Sequence, residues 1–130
     1  MAWHIVNDRP VYIQLMERLK EAIMRGEYPP GSRVPPVRDL AREAGVNPNT
    51  MQKALQELER EGVMYSNRTA GRFVTEDLSL LKQSGNKQAM EYTKAYYEKM
   101  IHMGYDRTAM TELLLEYEQQ RGDDKPSSVG

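Results

Sequence analysis

Cysteine is absent from the 130 residues, and histidine occurs only as His4 and His102. Without cysteine there are no disulfides, thiolate metal sites or cysteine nucleophile, and two histidines far apart in sequence support neither a metal site nor catalysis. No Gly-rich phosphate loop or nucleophile elbow appears, and the neighbouring carboxylates read as helix surface, so an enzyme is the least favoured class and no cofactor is expected. No apolar run approaches the roughly 18 to 20 residues of a membrane span, and the first residues lack the charged-then-apolar order of a signal peptide. The expectation is a soluble cytoplasmic protein with a modest core.

Excess charge is also lacking, with a formal net charge of -1. That argues against a nucleic-acid binder until the distribution is read. Residues 1–75 hold eleven Lys and Arg against nine Asp and Glu, and residues 76–130 hold seven against ten. The acid excess lies in the second part.

Helical periodicity begins after Asp8-Arg9-Pro10, where Asp8 can cap and Pro10 suits a first turn. Tyr12, Leu15, Met16, Leu19, Ala22 and Ile23 then recur at helical spacing up to Gly26. Tyr28-Pro29-Pro30-Gly31 forms a turn or extended connector. A second helix is predicted from near Pro36, with Val37, Leu40, Ala41 and Ala44 inward, stopping at Gly45. Asn47 caps a third, with Pro48 at its first position, Met51, Ala54, Leu55 and Leu58 as its buried stripe, and Gly62 at its end. Two helices joined by Gly45-Val46-Asn47 have the form of a helix-turn-helix.

Val63-Met64-Tyr65 and Arg72-Phe73-Val74-Thr75 read as two strands around the polar turn Ser66 to Gly71. Three helices and a hairpin give a mainly α, α+β winged helix over residues 1–75, preceded by Trp3-His4-Ile5-Val6 as a strand or a packed arm. From Glu76 the composition favours helix, as one long element or two pieces breaking at Ser84-Gly85-Asn86. Tyr92, Ala95, Tyr96, Lys99, Met100 and Met103 then form a stripe ending at Gly104. Asp106 caps a last helix carrying Met110, Leu113, Leu114 and Tyr117. Residues 122–130 read as a disordered tail.

These segments resemble the GntR family of bacterial transcription regulators. The likeness runs through Tyr12-Ile13-Gln14-Leu15, Pro30-Gly31, Val34-Pro35, Arg38-Asp39-Leu40-Ala41, Gly45 to Thr50, Lys53-Ala54-Leu55, Leu58 to Gly62 and Gly71-Arg72-Phe73-Val74. The short helical region at 76–121 is similar to the YtrA-like branch, in which a small helical dimerisation unit replaces a larger effector domain. Pro36 departs from the serine or alanine of many relatives, and Arg68-Thr69-Ala70-Gly71 departs from a more glycine-rich wing tip. The resemblance implies a DNA-binding regulator, commonly of a transporter operon.

Within that frame Arg38 on the second helix is an expected DNA contact, its bland alternative being a surface pair with Asp39 or Glu43. Asn49, Thr50, Gln52 and Lys53 open the helix that a helix-turn-helix inserts into the major groove, and their amides, hydroxyl and ammonium suit base edges and phosphates. Asn47 and Pro48 chiefly start that helix. Arg68, Thr69, Gly71 and Arg72 on the wing can meet minor groove or phosphate, and describe an exposed charged hairpin equally well. Tyr92, Tyr96, Met100, Met103, Met110, Leu113, Leu114 and Tyr117 are expected to form a homodimer seam, because two appended helices cannot cover their apolar faces within one chain. A dimer would read a palindromic operator in double-stranded DNA as a repressor. No feature specifically supports a small-molecule effector or a membrane partner, and the competing class is a winged helix used for protein assembly.

Overall fold

The computed structural model describes residues 2–122. Five helices and one hairpin follow in the order α1 (Val11–Met24), α2 (Val37–Ala44), α3 (Pro48–Arg60), β1 (Met64–Asn67), β2 (Gly71–Val74), α4 (Leu78–His102) and α5 (Arg107–Arg121). This is a winged helix followed by helices. Contacts divide the chain into one compact unit up to Gln88 and another from Ala89 onward. The compositional boundary after residue 75 falls earlier, because the first turns of α4 belong to the first unit. No helix among the described residues is long and apolar enough to cross a membrane.

The core of the first unit joins Leu15 and Leu19 of α1, Leu40 of α2, and Met51, Leu55 and Leu58 of α3, all fully buried. Each comes from a helical stripe anticipated by periodicity, and burying a side chain of this size contributes about 1.5–3 kcal/mol. Pro10 and Pro36 stand one place before their helices rather than in the first turn. Their extended ψ angles of 133° and 151° direct their carbonyls to Gln14 N (3.4 Å) and Leu40 N (3.1 Å). Asp8 does not cap α1, which has no side-chain cap at all. α1 and α3 give out two residues before Gly26 and Gly62, whose positive φ values of 88° and 82° serve the turns at those ends.

Trp3 is buried in the core although residues 2–6 form no strand, so the N-terminal segment is a packed arm. Gln14 holds it. This fully buried amide accepts from Val6 N (2.8 Å) and donates to the carbonyls of Val6 (2.8 Å) and Arg9 (2.9 Å). Arg9 adds a two-pronged pair to Glu17 at 2.9 and 3.0 Å.

The hairpin differs by a residue or more from expectation. Val63 closes the end of α3, donating to Leu58 O at 3.0 Å, and Ser66 and Asn67 extend β1 instead of forming the turn. The ladder pairs Met64 with Val74, Tyr65 with Phe73, Ser66 with Arg72 and Asn67 with Gly71. Polar residues suit this strand because all but Met64 face solvent. The Tyr65 and Phe73 rings stack at 5.6 Å, a cross-strand pair worth about 0.2–1 kcal/mol.

A third stretch pairs with β2 from the other side: Gly31 N to Val74 O, Val74 N to Ser32 O, and Val34 N to Arg72 O, all within 2.8–2.9 Å. An isolated antiparallel bridge joins Arg33 to Phe73.

Of the two courses open at Ser84-Gly85-Asn86, one long helix or two pieces, the structure shows the first: α4 runs unbroken. A glycine inside a helix costs about 1 kcal/mol, and the packing of this stretch on α1 offsets it. Leu81 and Gln88 are buried, and Gln88 donates to Glu17 O at 3.2 Å. Between them Gly85 lies against Met24, whose Sδ would be 2.6 Å from any Cβ added there. The glycine serves close approach, not bending.

In the second unit Gly104, with φ 86°, ends the turn after α4, and Asp106 caps α5 by accepting from Ala109 N at 2.9 Å. The tail expected to be disordered lies, from residue 123 onward, outside the described residues.

Replacing Gln14 by Leu keeps volume but strands the arm's backbone groups. It is expected to lower the unfolding free energy by about 2 kcal/mol in denaturant titration. The emission of Trp3, the sole tryptophan, should shift to the red; an unmoved spectrum and unmoved stability would show that Gln14 does not hold the arm.

Candidate nucleic-acid interface

Asn47 stands in extended conformation before α3 and its side chain accepts from Asn49 N at 2.7 Å, with Pro48 at the first helical position. Upstream, Gly45 ends α2 in the left-handed region at φ 70° and ψ 35°, and Val46 N returns to Ala41 O at 3.0 Å. The turn between the two helices is therefore fixed by backbone bonds on one side and a side-chain cap on the other. With Met51, Leu55 and Leu58 buried, the opposite face of α3 carries Asn49, Lys53, Gln56 and Arg60, all exposed. Gln56 and Arg60 extend this exposed face beyond the residues singled out from sequence, and the same helical spacing could have found them.

The other expected contacts separate into groups. Arg38 is exposed at the second position of α2, and its neighbour Asp39 pairs with Arg42 (3.5 Å) instead. Thr50 is half-buried. Gln52 is also half-buried and faces the wing, where it shares an open groove of about 290 Å³ with Arg33, Ser66, Asn67, Gly71 and Arg72. The Lys53 ammonium lies 4.0 Å from the centre of the Tyr12 ring, a cation–π contact that ties this side chain to α1.

On the wing, Asn67 accepts from both the amide (3.0 Å) and hydroxyl (3.1 Å) of Thr69, so Thr69 shapes the tip as well as facing solvent. Arg68 is exposed beside it. Gly71 adopts φ 109°, which an L side chain rarely takes. Arg72 is turned inward: its Nε donates to Glu59 of α3 at 3.1 Å, and Ser66 donates to the same carboxylate oxygen. Glu59 thus joins α3 to both wing strands.

These pairings shape the charge of the surface. Glu57 is matched by Arg60 (3.4 Å), Glu59 by Arg72 and Glu61 by Lys20 (2.7 Å). Arg33, Arg38 and Arg68 have no ion pair among the described residues. Positive charge is left available where the chain as a whole is slightly acidic. Burial first, then the carboxylates of Glu43 and Glu27, hold the Tyr28 phenol above its ordinary value. No group of three or more metal-ligating side chains occurs among the described residues.

A capped helix with a polar outer face, set between a second helix and a charged hairpin, defines a winged helix-turn-helix DNA-binding regulator. Residues 11–74 match the family model described as "Bacterial regulatory proteins, gntR family". The chain is 29% identical over 106 residues to the HTH-type transcriptional regulator YhcF of Bacillus subtilis, covering 82% of this chain and 88% of that one. It is 41% identical over 71 residues to the HTH-type transcriptional repressor YtrA of the same organism, covering 55% of each. A GntR family transcriptional regulator from Listeria monocytogenes superposes with a TM-score of 0.80 at 28% identity, over 86% of this chain and 98% of that one. Residues 11–74 belong to the GntR family of transcription regulators, and these relatives are transcription regulators.

Asn47→Ala removes the cap of α3 and is expected to cost about 1 kcal/mol of stability, which Asn47→Asp or Asn47→Ser should largely restore. Equal denaturation midpoints for Asn47→Ala and the parent would show that the cap is not worth that much.

Proposed function

We propose that the chain is a homodimeric repressor of the YtrA-like branch, which covers a promoter by binding a palindromic operator in double-stranded DNA. The observation that carries this reading is α3, with Asn49 and Lys53 exposed and Gln52 lining the groove beside the wing, together with the exposed Arg38 of α2, which has no ion pair among the described residues. Amide side chains can read adenine by two hydrogen bonds, and free guanidinium groups suit guanine or phosphate. Arg68 at the wing tip reaches for the flanking backbone. Asn47 and Pro48 set the angle of α3 instead of reading bases.

The second copy follows from the apolar residues of the helical region. Tyr92, Tyr96, Met103, Leu113, Leu114 and Tyr117 are all exposed in the single chain, as are Tyr97, Ile101 and Leu115. An uncovered apolar surface of this kind marks an association face, and a twofold pair covers the same surface on both partners. Met100 is half-buried and can join the seam. Met110 is only 4% exposed and packs within its own chain, so it lies outside the proposed interface.

Two α3 helices in successive major grooves would lie about 34 Å apart and require a symmetric site. Likeness to the repressor YtrA supports repression; the transporter-type operon and the cytoplasmic setting are what the resemblance to the YtrA-like branch implies. No effector enters the proposal.

Selection of bound fragments from a random DNA pool by the purified protein should return a palindrome. Arg38→Ala and Gln52→Ala should each weaken binding to that sequence by about 1–3 kcal/mol. Unchanged affinity in both variants would remove the reading surface from this face. Absence of binding to any duplex at low salt would favour a protein-assembly role instead. Sedimentation at micromolar concentration should give a dimer, and a monomer there would defeat the twofold model.

A further inference from the structure

We propose that Arg33, at the root of the wing, is a phosphate-contacting residue of the DNA interface, in the place that sequence alone assigns to Arg72. The inference rests on the DNA-binding reading above. Arg72 has the guanidinium that reading singles out, yet its side chain is 14% exposed and engaged with Glu59. A base already paired with a carboxylate must lose that partner before it can serve a phosphate. Arg33 has no such cost: it is exposed and has no ion pair among the described residues.

Its placement is fixed by the backbone. The isolated bridge between Arg33 and Phe73, with hydrogen bonds on either side at Ser32 and Val34, holds the residue against β2. Its side chain lies over Gly71, where an added Cβ would come within 3.1 Å of Arg33 Nε and 3.4 Å of Nη2. The guanidinium thus packs over a position that has no side chain. From there Arg33 lines the same groove as Gln52 of α3, beside the face that carries the base-reading amides.

A group on an element flanking the reading helix is placed to meet the sugar-phosphate chain. An anchored backbone also reduces the conformational freedom lost on binding. The chemistry is that of a charge-assisted hydrogen bond from a planar guanidinium to phosphate oxygens.

The test compares the parent, Arg33→Ala, Arg33→Gln and Arg72→Ala on the selected operator and on a random duplex of equal length, across a salt series. Both Arg33 variants should keep the parent's melting temperature and bind both DNAs more weakly by a similar factor, about tenfold. The slope of log affinity against log salt should become shallower by about one. Arg72→Ala should instead lower the melting temperature, because it breaks the contact with Glu59. If the Arg33 variants retain the parent's slope on DNA that the parent binds, or lose affinity for the operator alone, the phosphate role is overturned. If the parent binds neither duplex at low salt, the DNA-binding reading itself fails, and that result is distinct from the first.

Discussion

The carboxylate of Glu59 is the point at which a helix and a hairpin become one surface. It stands on α3 at the edge between the buried stripe and the outer face, and accepts from Arg72 on β2 and Ser66 on β1. A hairpin of two four-residue strands is marginal alone. Here it is held from below by Val63, Met64 and Val74 in the core, from the side by the stretch at Ser32 to Val34, and from α3 by this one charged group. Removing Glu59 would leave Arg72 partly buried without its acid partner and free the wing from the helix whose reading it flanks.

The distribution of ion pairs has a similar logic. Each glutamate on the outer half of α3 is matched by a nearby base, so the helix does not present uncompensated negative charge to an anionic polymer. Among the described residues, Arg33 on the stretch beside β2, Arg38 on α2 and Arg68 at the wing tip have no ion pair, and neither does Lys53 on α3. A net charge near zero is therefore compatible with nucleic-acid binding when local pairing removes the acids from the relevant face. Counting charges along the chain shows the bias between halves; the pairing itself needs coordinates.

The legible features were those that depend on neighbours in sequence. Alternation of Leu40, Met51, Leu55 and Leu58 with polar residues announces two short helices, and Asn47-Pro48 announces the start of the second, because caps and helical stripes are local devices. Features set by distant residues were not legible in the same way. Gln14 lies outside the apolar stripe of its helix, and only the folded arm brings Val6 and Arg9 over it. Arg72 reads as a free wing arginine until Glu59, thirteen residues earlier, is placed beside it. Gly85 leaves one helix or two open in the sequence, because its partner, Met24, lies on another helix. Arg33 carried a fainter signal: a short extended stretch between Gly31 and Pro35 is the length of a bridging strand, but no alternation marks it.

The unbroken course of α4 through Gly85 constrains how the chain can change over evolutionary time. Substitutions in a helix leave the phase of its later turns untouched, whereas one inserted or deleted residue rotates every downstream side chain by about 100° and shifts it about 1.5 Å along the axis. Within Leu78–His102 a flexible break would have absorbed such a change; a continuous helix does not. The residue count of this segment is therefore held more tightly than the identity of those exposed residues that lie outside the proposed seam.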